Sequence, residues 1–168
     1  MDKGETWMAE SDPPRSDVRI RDVEDDDVEL FFEHQLDPEA TRMAAFPSRA
    51  RDPFMAHWAK IRADRTALMQ TIVADGRVVG NIVSWDQSGD REIGYWIGRD
   101  HWGRGIATEA LALFLGHVKS RPLHAHVAVH NAGSIRVLEK CGFQRLAAQE
   151  NQPLAADGIE EVAFILKA

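Results

Sequence analysis

Residues 95–111 read Tyr95-Trp96-Ile97-Gly98-Arg99-Asp100-His101-Trp102-Gly103-Arg104-Gly105-Ile106-Ala107-Thr108-Glu109-Ala110-Leu111. A hydrophobic strand enters a loop with glycines at 103 and 105, and the loop passes directly into a good helix former. Glycine has no Cβ, so backbone N–H groups there can approach a ligand closely. The helix start adds unpaired donors and the positive end of the macrodipole. Together these make a main-chain cradle for pyrophosphate, with the N–H groups from Gly103 through Ile106 and Ala107 to Thr108 as donors and Arg104 adding charge. Glycine spacing alone favours a simple tight turn. A dinucleotide-binding loop is excluded, because the third glycine is missing and the stretch follows a run of antiparallel strands.

That run is legible upstream. Segments 67–73 and 78–85 flank Asp75-Gly76, a hairpin signal, and Gln87-Ser88-Gly89-Asp90 turns the chain into a third strand, Glu92–Ile97. Alternation places Glu92, Gly94 and Trp96 on one face of that strand and Tyr95 on the other. Further upstream, 18–23 alternates as a half-buried strand, and Glu24–Asp27 suits the first turn of a helix continuing through His34. Pro38, Pro47 and Pro53 punctuate a loop-rich stretch. A second helix follows Asp52-Pro53, with the aspartate as cap acceptor and proline in the first turn, and runs through Met55, Trp58 and Ile61 towards Arg65.

After the glycine loop, Ala107, Leu111, Phe114 and Val118 form one apolar stripe that Pro122 ends. Residues 124–129 read as a strand, Asn131 caps a short helix through Lys140, and Gly142 terminates it. Short strands at 143–146 and 162–166 complete the chain, separated by a polar loop around Asp157-Gly158. The expectation is an α/β (α+β) fold: a mixed, mostly antiparallel sheet of about seven strands flanked by about four helices. Residues 1–17 read as a flexible tail and 18–168 as one domain.

Composition narrows the function. A net charge of −7 opposes a chain built to hold nucleic acid. No apolar run approaches the roughly 18 residues of a membrane helix. The single cysteine, Cys141, allows no intrachain disulfide and fits a reducing, cytoplasmic setting. It reads as packed rather than nucleophilic. His124, His126 and His130 lie near one another, but no cysteine pair or carboxylate is placed to complete a zinc site, so no metal is expected.

Two motifs then act together. Trp102-Gly103-Arg104-Gly105-Ile106-Ala107-Thr108-Glu109-Ala110-Leu111, followed by Asn131-Ala132-Gly133-Ser134-Ile135-Arg136-Val137-Leu138-Glu139-Lys140-Cys141-Gly142-Phe143, resembles the GNAT superfamily of acyl-CoA-dependent N-acetyltransferases. The tryptophan-glycine start and the asparagine-to-serine spacing are most similar to the branch that acetylates protein N-termini, ribosomal proteins included. Trp102 stands where the superfamily usually has glutamine or arginine. The departure leaves the run of N–H groups intact.

The resemblance implies acetyl-CoA as acetyl-donor cosubstrate and a primary amine as acceptor: a protein N-terminus, a lysine or a small molecule. It implies that the main chain of Trp96-Ile97-Gly98 pairs with the pantetheine arm, and that Asn131 and Ser134 contact the lower part of CoA. It places the base at Glu92, with His130 and Glu150 as alternatives. The tyrosine that many members carry in the second helix is absent, since Leu138 holds that position, and Ser134 or water is left to protonate the thiolate. Phe46, His57 and Trp58 fall in the region that borders the acceptor. A homodimer is common among such proteins. Two other readings remain open: a CoA-binding sensor or interaction module without transfer, and an acyltransferase using a larger donor such as succinyl-CoA.

Overall fold

A computed structural model describes residues 15–147 and 159–168. The elements run β1 (Val18–Arg21), α1 (Asp25–His34), α2 (Pro38–Ala44), α3 (Arg51–Ala63), β2 (Leu68–Ala74), β3 (Arg77–Gln87), β4 (Asp90–Ile97), α4 (Ile106–Leu115), β5 (Leu123–Ala128), α5 (Ala132–Lys140), β6 (Gln144–Arg145) and β7 (Glu161–Leu166), with one 3-10 turn at Arg99–His101. The strands form one seven-stranded sheet in the order β1-β2-β3-β4-β5-β7-β6. Every neighbouring pair is antiparallel except β4 and β5, which run parallel. The expected mixed sheet is therefore present.

Both hairpins turn where the sequence indicates. Asp75 and Gly76 have φ of 51° and 79°, and Ser88 and Gly89 have 52° and 90°, the paired positive values that match strand twist in two-residue turns. The sheet carries a core on each face. One contains Ile72, Ile82, Ile93 and Ile97 with Ile106, Leu111 and Phe114 of α4 and Leu138 of α5. The other holds Val28 and Phe31 of α1, Phe54 and Trp58 of α3, and Val83 of β3.

The helices depart from expectation in three places, and the described residues hold five rather than four. The loop-rich stretch contains α2, because Asp37 Oδ1 accepts from Ala40 N–H at 3.0 Å and Pro38 takes the first turn, where its missing N–H costs nothing. In contrast, α3 starts at Arg51 after a cap residue, Ala50, that offers no side-chain acceptor, and it ends at Ala63, short of Arg65. Asp52 and Pro53 thus lie inside its first turn. Finally, α4 ends at Leu115 with Gly116 as its cap, six residues before Pro122. Its buried stripe is Ile106, Ala110, Leu111 and Phe114, while Ala107 is only partly buried and Val118 packs from the turn beyond. The Asp157-Gly158 loop and Glu150 lie outside the described residues.

α1 is tied to the sheet through Asp27, which is 3% exposed. Its carboxylate accepts from Arg21 at 2.7 and 3.0 Å, from Glu24 N–H at 2.8 Å and from the Thr71 hydroxyl at 2.8 Å. Burial alone would raise its pKa, but these donors outweigh burial and hold it below the ordinary 3.8. A depressed folded-state pKa gives stability that is present above the unfolded value and lost as pH falls through the folded one. Asp27→Ala should therefore destabilise the protein by about 2–3 kcal/mol in urea unfolding near pH 7. The gap between variant and wild type should close as pH drops below about 4. An undiminished gap at low pH would mean that packing, not charge, accounts for the loss.

Candidate active site

The site begins where two strands part. β4 and β5 pair at only Arg91↔Leu123 and Glu92↔His124, after which the sheet opens. On β4, Ile93, Tyr95 and Ile97 pack with the core beneath α4, while Glu92, Gly94 and Trp96 face the opposite side. Gly98 N–H bonds Val79 C=O at 2.8 Å, and antiparallel pairs alternate. Ile97, opposite Gly80, therefore turns its own N–H and C=O away from β3 and into the opening. The carbonyl is taken by Trp102 Nε1 at 2.8 Å, which fastens the glycine loop to the strand end. Gly80 permits this closeness: a Cβ there would lie 2.0 Å from the Trp96 carbonyl oxygen.

Beyond Trp102 the chain forms the cradle. Gly103 and Gly105 have φ of 73° and 75°, and a Cβ on either would enter open space rather than meet protein. The first intrahelical bond of α4 runs from Glu109 N–H to Gly105 C=O at 3.2 Å. The amides of Ile106, Ala107 and Thr108 precede it, and no side chain caps them. A cleft of about 380 Å³ opens over these groups. Trp96, Ile97, the whole run from Trp102 to Thr108, Asn131 and Ser134 line it. Gly98 does not; it sits beneath the His34 ring, where a Cβ would come within 2.8 Å of a ring carbon. Arg104 is held to one side by Asp75 Oδ2 at 3.3 Å.

Further lining residues went unnoticed in the sequence. Ala40, Met43 and Ala44 of α2 form one wall, in a stretch whose prolines predict a loop. Arg136 and Lys140 lie one turn apart on α5 and face the cleft, with no ion pair among the described residues. Their i, i+4 spacing on the wall that carries Gly133 was the available signal.

The candidate catalytic groups occupy both sides of β4. Ser134 is in the first turn of α5, whose cap Asn131 accepts from Ser134 N–H at 3.2 Å. Its Oγ lies 2.7 Å from the Tyr95 hydroxyl, so the strand tyrosine reaches the cleft wall. Glu92, 7% exposed, lies at the last paired rung and outside the cleft lining, with Oε2 3.1 Å from His126 Nδ1. That hydrogen bond raises the His126 pKa; burial opposes it, and the charges of Glu92, Glu161 and Asp90 reinforce it. His124 faces Asp90 at 3.7 Å, and His130 Nε2 lies 2.7 Å from the Arg42 carbonyl. The described residues contain no group of three or more metal-ligating side chains. Cys141 Sγ rests 3.6 Å from the Thr108 carbonyl, and burial pushes its thiol pKa up, which disfavours a nucleophilic thiolate.

The three suggested acceptor contacts separate. Phe46 is 46% exposed and lines a second, shallower hollow with Pro38, Ala45, Pro47 and His130. His57 is half-buried on α3, and burial, then Arg49 and Lys60, lower its pKa. Trp58 lies in neither hollow: it is 5% exposed and packs on Phe31 with ring centroids 4.9 Å apart.

The family pattern for the acetyltransferase (GNAT) domain matches residues 17–144. The chain belongs to the GNAT acetyltransferase family. A curated relative, an uncharacterized N-acetyltransferase p20 of Bacillus licheniformis, is 28% identical over 142 residues, covering 76% of this chain and 79% of the relative. Mycobacterium smegmatis RimJ, solved in complex with CoA-disulfide, superposes with a TM-score of 0.73 at 25% identity, covering 92% of this chain and 85% of that one. A Vibrio cholerae spermidine N-acetyltransferase, solved with CoA and spermine, has a TM-score of 0.73 at 15% identity over 88% of this chain and 92% of that one.

The protein is thus an acyl-CoA-dependent N-acetyltransferase with an amine acceptor, and acetyl-CoA is its acetyl donor. The chain's own geometry fits that donor: an uncapped helix start and open glycines suit a pyrophosphate, and the Ile97 edge suits an extended amide-bearing arm. Gly105→Val would fill the open space with methyl groups and strain the positive-φ turn, without striking neighbouring protein. It should weaken acetyl-CoA binding at least tenfold by calorimetry while circular dichroism still reports a folded chain. Unchanged affinity would move the cofactor site elsewhere.

Proposed function

We propose that this enzyme transfers acetyl directly from acetyl-CoA to a primary amine within a ternary complex, with a protein N-terminal α-amine as the acceptor. The observation that carries direct transfer is the parting of β4 from β5 beside an uncapped α4, which leaves one opening at the strand ends. The N-terminal acceptor is supported by the Trp102-Gly103 start and the Asn131-to-Ser134 spacing, which resemble that branch of the family. The lone cysteine is in keeping with work in a reducing cytoplasm.

In this reading the amides of residues 103–108 hold the pyrophosphate, and Asn131 and Ser134 contact the arm. The free Ile97 N–H stabilises the developing oxyanion, since a donor fixed at that edge needs no reorganisation. Glu92 lies at the base of the opening and takes the amine proton through water, with His126 fixing its carboxylate. Ser134 serves the departing thiolate. Phe46 and His57 border the acceptor. Trp58 acts indirectly, by anchoring α3 against α1.

Thermal unfolding with acetyl-CoA, succinyl-CoA and NAD, followed by an acceptor panel of N-terminal peptides, lysine peptides and spermidine, tests this. Acetyl-CoA at about 100 times its dissociation constant should add about 2.7 kcal/mol, with NAD adding nothing. Succinyl-CoA performing as well as acetyl-CoA would replace the donor, and spermidine outpacing every peptide would replace the acceptor. Binding without turnover on any amine would leave a CoA-binding module. Glu92→Gln should lower kcat by about 10²-fold or more with little change in acetyl-CoA KM. A variant as fast as wild type would remove Glu92 as base.

A further inference from the structure

Leu138 holds the α5 position at which the family resemblance implies a tyrosine acid, and it is only 1% exposed in the core. α5 therefore brings no phenol to the cleft, but β4 does. The Tyr95 hydroxyl lies 2.7 Å from Ser134 Oγ, where either oxygen can donate, and 3.3 Å from the Ser134 carbonyl oxygen, so its single proton has two alternative acceptors; both residues line the cleft. A serine hydroxyl alone is a weak acid, and a phenol is a stronger one even where burial raises its pKa. A serine that gives up its proton therefore works best with a stronger acid behind it.

We propose that Tyr95 is the positioning residue that makes Ser134 an effective proton donor to the departing CoA thiolate, in place of the tyrosine that α5 lacks. This rests on the acetyl-transfer reading above. As the C–S bond breaks, its electron pair stays on sulfur, which takes the proton of Ser134 Oγ. Oγ takes the phenolic proton of Tyr95, and Tyr95 recovers one from water in the cleft. The hydroxide so formed is neutralised by the acceptor amine's proton, which Glu92 took up and now releases to solvent. Burial pushes the Tyr95 pKa up to about 12, against the lowering effect of the Ser134 hydrogen bond, so the phenol is fully protonated between turnovers at neutral pH.

Tyr95→Phe keeps the ring in the core and removes only the hydroxyl. With saturating amine, Tyr95→Phe and Ser134→Ala should each lower kcat about tenfold or more, with acetyl-CoA KM changing less than about threefold. The double variant should be no slower than the worse single variant, because the two act as one unit. A Tyr95→Phe enzyme with wild-type kcat, or losses that multiply in the double variant, would overturn the proposal.

A readout independent of turnover is also available, because Tyr95 is the chain's only tyrosine. Protein carrying 13C at the tyrosine ζ carbon gives a single resonance from this residue. CoA should shift it in wild type and shift it far less in Ser134→Ala. CoA that binds by calorimetry yet leaves the wild-type resonance unmoved sinks the proposal alone. CoA that does not bind at all sinks the cofactor reading and this proposal with it.

Discussion

Two rungs of parallel pairing between β4 and β5 set the geometry of everything that follows. Parallel neighbours need a long crossover, and here the crossover is the glycine loop and α4. Because α4 must return to the foot of β5, its N-terminus stands over the head of β4, where the strands have separated. An unpaired strand edge and an uncapped helix start are each costly to leave unsatisfied in a buried setting. Placed together, they are the donors that the proposed acetyl-CoA site would use.

The register of β4 is held by features outside the site. Gly80 admits the Trp96 carbonyl where any Cβ would collide with it, and the irregularity between Ile72 and Val73 adjusts β2 to the same path. On the other flank, Asp27 fixes α1 to β2 through Thr71. A slip of one residue along β4 would exchange its two faces, carrying Tyr95 away from Ser134 and Glu92 into the α4 core. The sheet architecture thus protects a chemical assignment as well as a fold.

Strands, hairpins and the glycine turn into α4 were legible because each depends on local rules: alternation, paired turn residues, and glycines followed by a strong helix former. α2 was missed because three prolines outweighed the Asp37-Pro38 cap, although the same pair is itself a helix-start signal. The end of α4 was misplaced because Gly116 was passed over in favour of the more conspicuous Pro122. Trp58 shows the limit of locating a site by region: its place in the chain neighbours the acceptor side, yet its side chain is spent on Phe31. The Tyr95–Ser134 contact spans 39 residues, and no pattern along the chain encodes it.

In the proposed mechanism the two faces of β4 also divide the reaction electrostatically. On one, Glu92 sits with His126 and near Asp90, a setting in which charge is tolerated because each carboxylate has a basic neighbour. On the other, Tyr95 and Ser134 set neutral hydroxyls against the apolar core beneath α4, on a cleft wall that also carries Arg136 and Lys140. Removing a proton from a cationic amine calls for a charged base, whereas returning one to a thiolate calls for a neutral donor that burial keeps protonated. A single strand satisfies both, because successive side chains point to opposite solvents: an ionic one at the base of the opening and an apolar one along the donor arm. This division also explains why the phenol can come from β4 rather than α5. What the thiolate requires is a neutral hydroxyl at the Ser134 wall, and a strand residue of the α4-facing set reaches that wall as well as a helix residue would.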